Sequence, residues 1–171
     1  MDLRQMYWKK MCRYKYQLYY LTYFYKQSII VNRVIKIIIA VASCSAICIW
    51  ATFQPLSFIC GGIIAFSQLV SAIYEFLPYQ KRISALSNMI DNLTLLYNEV
   101  EMKWRELESG NISDSEIQKL INSFDNRWDT IKNHGLTEDV LPHNEKFKKK
   151  AEEETDTYYR VLLGGVRDET L

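Results

Sequence analysis

Ser57, Gly61, Ile64, Gln68, Ser71 and Glu75 recur at spacings of 4-3-4-3-4, so a helix would carry all six on one face. Ala65 and Ala72 flank that face, while Phe58, Ile59, Phe66, Leu69, Val70, Ile73, Phe76 and Leu77 cover the opposite one. A stripe of hydroxyl, amide and carboxylate groups on an otherwise apolar helix can do two kinds of chemistry. Small residues let two helices approach closely, with Gln68 hydrogen-bonding across the contact. Alternatively, a ring of copies turns the stripe toward water. Ile64 is then the dry constriction, and Glu75 forms an acidic ring at one mouth that favours cations. Sequence leaves both uses open.

A second set of residues suits anions. Lys103, Arg105, Arg127, Lys132, Lys146, Lys148, Lys149 and Lys150 lie in the last 70 residues, with Trp104 between two of these cations and Trp128 directly after another. Aromatic faces beside cations stack bases and hold phosphates. Both tryptophans also fall on apolar stripes, where the plainer role is core packing. The chain carries no phosphate-cradling glycine loop, no HExxH, and no plausibly spaced Ser/His/Asp or Cys/His set, so no catalytic residue is assigned. Four cysteines without a CxxC pair and only two histidines, His134 and His143, imply neither a metal site nor a cofactor.

The elements that must position these residues follow from charge and helix breakers. Residues 1–36 hold eight Lys/Arg against the single acid Asp2; residues 37–77 hold one charge, Glu75; residues 78–171 hold 13 basic and 18 acidic side chains. Ile37–Phe53 is 17 residues without charge, about 26 Å of helix, close to the hydrocarbon thickness of a bilayer. Gln54 and Pro55 make a tight turn, and a second run, Leu56–Leu77, ends before Pro78. The expected fold is an all-α integral membrane protein. An antiparallel transmembrane hairpin (spans 37–53 and 56–77, domain 37–77) follows an N-terminal amphipathic helix over 1–36. A coiled-coil-like helix over 78–109 and a helical region over 110–171 make the cytosolic tail.

Within the arm, Tyr7, Met11, Tyr14, Leu18, Leu21 and Tyr25 recur at 4-3-4-3-4, and seven of the twelve tyrosines fall in the first 25 residues. This face suits the lipid headgroup layer, or it packs on the helix at 83–107. Beyond Pro78, Ile83, Leu86, Ile90, Leu93, Tyr97, Val100, Trp104 and Leu107 form a heptad seam suited to joining copies of the chain. Gly110 closes that helix, Ser113-Asp114-Ser115-Glu116 reads as a capping box, and Ile117, Ile121, Phe124, Trp128 and Ile131 give the next helix its apolar stripe. A last polar helix is expected from Asn144 to Leu163, with Lys148–Lys150 pairing to Glu152–Glu154 at i,i+4 on a solvated face.

This order of parts resembles the SLATT family of bacterial membrane proteins. The resemblance rests on the basic-aromatic arm from Tyr7-Trp8-Lys9-Lys10 through Tyr25-Lys26, two spans with almost no loop, and the long helix starting at Tyr79. It covers roughly residues 1–110 and matches architecture more than any sharp motif. It implies an antiphage effector that oligomerises in the inner membrane and forms a pore or disrupts the bilayer, killing or arresting the cell. It also implies control by a nucleotide or oligonucleotide from a partner nucleotidyltransferase. The implied partners are therefore membrane lipid, further copies of the chain and that ligand, with no cofactor. The alternative is a non-conducting membrane scaffold or sensor that recruits partners through its helical tail.

Eight basic residues precede the first span, Lys81 and Arg82 follow the second, and the turn has none. The positive-inside rule then predicts a multi-pass inner-membrane protein with both ends cytoplasmic. Reporter tags fused before Met1 and after Leu171 should both read cytoplasm; a periplasmic C-terminal tag would rule out the hairpin.

Overall fold

The computed structural model describes residues 2–52, 57–76, 79–110, 112–135 and 143–168; within these, the side chains of 42–52, 57–60, 63–64, 73–76, 79–81 and 163–168 are not described. The described chain is all helix: α1 (Leu3–Thr52), α2 (Ser57–Phe76), α3 (Tyr79–Glu108), α4 (Asp114–Gly135) and α5 (Glu145–Asp168). Among the described residues no helix is long and apolar enough to cross a membrane. Most of the two apolar runs, 37–53 and 56–77, lies where side chains are outside the described residues.

The chain divides into two compact units, Met1–Tyr25 with Ser84–Leu171, and Lys26–Ile83. The first is built around the N-terminal stretch of α1. Tyr7, Met11, Tyr14, Leu18, Leu21 and Phe24 are buried, and they meet buried residues of α3, α4 and α5. The tyrosine stripe of the arm therefore faces protein.

Helix α3 buries Leu86, Met89, Leu93, Leu96, Tyr97, Val100 and Leu107. The seam expected to join copies of the chain is thus consumed inside it: Leu93 is 0 % exposed, and Ile90 and Trp104 are half-buried against the same core. Met89 and Leu96 widen the stripe beyond two positions per heptad because α3 is covered by more than one neighbouring helix. Helix α4 contributes Ile117, Ile121, Phe124 and Trp128, as its spacing predicts, and α5 contributes Ala151, Thr155 and Tyr159.

The ends of these helices follow local chemistry. Gly110, at φ +80°, ends the turn after α3 in the left-handed region that other residues avoid. Ser113 N–H donates to Glu116 Oε2 at 2.9 Å, which is the reciprocal half of the capping box. Asn144 caps α5, its Oδ1 accepting from the N–H groups of Lys146 and Phe147 at 3.0 and 3.3 Å. The i,i+4 ion pairs expected within α5 do not form among the described residues; Glu154 accepts a hydrogen bond from Tyr23 Oη on α1 instead.

Gly135 does more than end α4. A β-carbon there would stand 2.6 Å from Met89 Sδ and 3.0 Å from Met89 Cβ and Cγ, so the Met89 side chain would have to shift to admit one. Gly135→Ala should lower the thermal midpoint, at a cost of about 1–3 kcal/mol from overpacking. Met89→Ala, costly in the wild type, should cost clearly less in the Gly135→Ala background. Strictly additive losses in thermal unfolding would show that this contact is not close.

Candidate functional site

The first unit replaces a purely aliphatic core with phenols, and each buried hydroxyl needs a partner. Tyr7 Oη donates to the Val100 carbonyl at 2.9 Å, on top of that carbonyl's place in α3. Tyr14 Oη donates to Asp125 Oδ1 at 2.5 Å while Lys10 Nζ reaches Asp125 Oδ2 at 2.7 Å. Trp128 stacks on Tyr14 with ring centres 4.3 Å apart and donates from Nε1 to Gln17 Oε1 at 2.7 Å. Tyr97 and Tyr159 hydroxyls meet at 2.9 Å in the core.

Around that last pair lies the most polar part of the interior. Lys15 Nζ stands 3.7 Å from the ring centre of Tyr158, 4.4 Å from Tyr97 and 5.3 Å from Tyr19. Its ammonium is desolvated, which lowers its pKa from the usual lysine value, with Glu101 partly offsetting the effect. Tyr158 Oη donates to Glu101 Oε2 at 2.8 Å, and Arg105 pairs with Glu101 Oε1 at 3.2 Å. Cation–π contacts of this partly desolvated kind are worth roughly 0.5–2 kcal/mol.

Next to the caged lysine a groove of about 600 Å3 opens between α1 and α5. Tyr19, Tyr23 and Tyr158 supply aromatic faces, Val161 and Leu162 aliphatic ones, and Lys150, Glu153 and Glu154 its charged groups. Lys150 Nζ lies 5.8 Å from the Tyr23 ring centre. Of the residues expected from the sequence to hold a ligand, the groove contains only Lys150. Tyr19 and Tyr23, four residues apart on α1, were a visible pair; their facing partners on α5, such as Glu154 at 131 residues from Tyr23, carried no local signal.

The cations expected to hold an anion are not gathered into one site. Lys103 pairs with Glu106 at 2.6 Å, Arg105 with Glu101, and Arg127 with Glu99 at 2.8 Å. Arg127 pulls the Glu99 carboxyl below its usual range. Lys132 is half-buried on α4. Lys146, Lys148, Lys149 and Lys150 stand on the first two turns of α5 and make no ion pair among the described residues. Trp128 is 2 % exposed and Trp104 packs on Tyr7 and Trp8, so both tryptophans serve the core and not a stacked base.

In the second unit, Gly61 and Gln68 of the α2 stripe are exposed and Ser71 is half-buried; the side chains of Ser57, Ile64 and Glu75 lie outside the described residues. Among the described residues of α2 the buried polar one is Ser67, one position off the stripe, at 6 % exposure. A β-carbon at Gly61 or Gly62 would meet nothing within 4 Å. Among the described residues, then, nothing approaches these glycines closely.

No family profile, curated protein or solved structure matches the chain.

The phenols give this unit a definite alkaline limit. Burial raises the pKa of Tyr7, Tyr14, Tyr97, Tyr159 and Tyr158 above the ordinary 10.0, that of Tyr158 to about 12. Above pH 10 the unfolded chain loses phenolic protons that the folded chain keeps, so stability falls as pH rises through the unfolded value. Lys15 acts in the opposite sense, adding stability as pH rises toward 10.5, but it is one group against five. Absorbance at 295 nm should show these phenolates appearing only together with loss of helicity. Full ionisation near pH 10 with unchanged circular dichroism would contradict this burial.

Proposed function

We propose that this chain is a membrane effector of the SLATT type. In this reading Lys26–Ile83 enters the inner membrane as an antiparallel hairpin. Copies associate through the Gly61/Gln68 face of α2 to form a pore, or to disrupt the bilayer, and the cell is arrested or dies. The observation that carries the reading is the surface of the second unit. Ile30, Val34, Ile37, Ile38 and Val41 on α1 are 47–60 % exposed, and Phe66 and Leu69 on α2 are 62 and 58 % exposed. An apolar surface of this kind is an aggregation hazard in water and an ordinary one in hydrocarbon.

Gln68 sharpens the proposal from insertion to assembly. An exposed amide between Phe66 and Leu69 is costly against lipid, and a second copy or a water-filled path relieves that cost. Because the α3 seam is filled within the chain, assembly through α2 is the route that remains for the hairpin. Control is assigned to the first unit. The unpaired lysines at the start of α5, beside the tyrosine groove, are the best candidates for a nucleotide or oligonucleotide signal, since a phosphate there has no carboxylate to displace from them.

Expression in a bacterial host, with membrane potential and oligomer mass followed together, tests the reading. Wild type should depolarise cells, and Ile64→Ser should raise the leak. Gln68→Leu should abolish conduction while oligomer mass is kept if the face lines water. It should weaken assembly, by roughly 0.6–2 kcal/mol per lost hydrogen bond, if the face packs helix on helix. Unchanged growth and potential in all three, with the protein in the membrane fraction, would leave the non-conducting scaffold.

A further inference from the structure

Between Asp2 and Glu75 the sequence contains no acidic residue, yet α1 carries Arg33 and Lys36 within that interval. Both side chains are exposed and neither makes an ion pair among the described residues. They border a shallow pocket of about 410 Å3 on α1, lined by Ile29, Asn32, Arg33, Lys36, Ile37 and Ala40. These positions fall at i, i+3, i+4, i+7, i+8 and i+11, a single helical stripe. Its middle presents a guanidinium, an ammonium and an amide; beyond them it continues as aliphatic Ile37 and Ala40, and exposed Ile30, Val34, Ile38 and Val41 lie along one flank.

We infer that this stripe is a binding site for one anionic phospholipid, its headgroup phosphate held between Arg33 and Lys36 and the start of its acyl chain along Ile37 and Ala40. Three features converge on that ligand. The two cations lack an anion of their own on the neighbouring sequence. Guanidinium and ammonium groups three residues apart suit a tetrahedral phosphate, one by a planar fork and the other as a point charge. The aliphatic continuation of the same stripe suits an amphiphile and offers nothing to a soluble phosphate. The inference rests on the proposed membrane insertion of Lys26–Ile83 and adds to it a preference for lipid charge, so that assembly or activity of the effector depends on the anionic lipid content of the host membrane.

The test is the association of spin-labelled phosphatidylglycerol and phosphatidylcholine with the full-length protein reconstituted in phosphatidylcholine vesicles, read by electron paramagnetic resonance. Each surface cation near a headgroup is worth roughly fivefold in affinity. Wild type should therefore hold the phosphatidylglycerol label several-fold more strongly than the phosphatidylcholine label. Arg33→Gln with Lys36→Gln should bring the ratio close to one while still immobilising both labels. Lys103→Gln with Arg105→Gln, at cations placed in the other unit, should leave the wild-type ratio intact. A double variant at 33 and 36 that keeps the full preference, or a wild type without one, overturns the site. Absence of an immobilised component for either label overturns the membrane reading itself, and the site with it.

Discussion

Everything in the first unit depends on burying one stripe of α1. Tyr7, Met11, Tyr14, Leu18 and Leu21 present a face that is large, apolar by area and polar at two tips, and no single neighbour can cover it. Leucines would need only volume. Phenols need volume and a hydrogen-bond acceptor at a fixed distance from the backbone, because an unsatisfied buried hydroxyl costs about 1–3 kcal/mol. Val100 on α3 accepts from Tyr7 and Asp125 on α4 accepts from Tyr14, and Tyr23, further along α1, donates to Glu154 on α5. These bonds fix the register of α1 against three other helices, which hydrophobic contact alone leaves free to slide.

The same requirement explains which parts of the fold sequence could reveal. Periodicity named most of the buried face of α1 and of α4, and on α3 it named five buried residues while missing Met89 and Leu96, because these faces follow 3.6-residue spacing with large side chains. It could not say what each face meets: the tyrosine stripe suited a headgroup layer as well as a protein core, and the α3 seam suited another copy as well as α1. Helix α5 was harder. Its buried stripe is Ala151, Thr155 and Tyr159, small or polar residues inside a run of lysines and glutamates, so its charge pattern spoke for a solvated helix. Ion-pair partners such as Arg127 with Glu99 and Lys10 with Asp125 come from different helices and left no local trace.

The candidate sites divide along the same line. The α2 stripe was legible as a pattern, and two of its residues, Gly61 and Gln68, are exposed. The scattered cations looked equivalent in sequence and are not: three are held by carboxylates, and the lysines opening α5 are not. Basic side chains at a helix N-terminus oppose the helix dipole, a small standing cost that an anionic ligand reverses. In the second unit the complementary constraint is the missing acid. A stretch with cations and no carboxylate before Glu75 finds no counter-charge in its own sequence, and in the proposed reading an anionic membrane surface supplies it.

The central claim is that the apolar half of α1 lies in hydrocarbon while its tyrosine-bearing half lies in a protein core. The four tryptophans report on this directly, since Trp50 sits in the apolar run and Trp8, Trp104 and Trp128 belong to the first unit. Fluorescence of the reconstituted protein should be quenched by lipids brominated along the acyl chain, and Trp50→Phe should abolish the quenchable fraction. Quenching that survives Trp50→Phe undiminished, or a wild type that brominated lipid does not quench, would contradict the account.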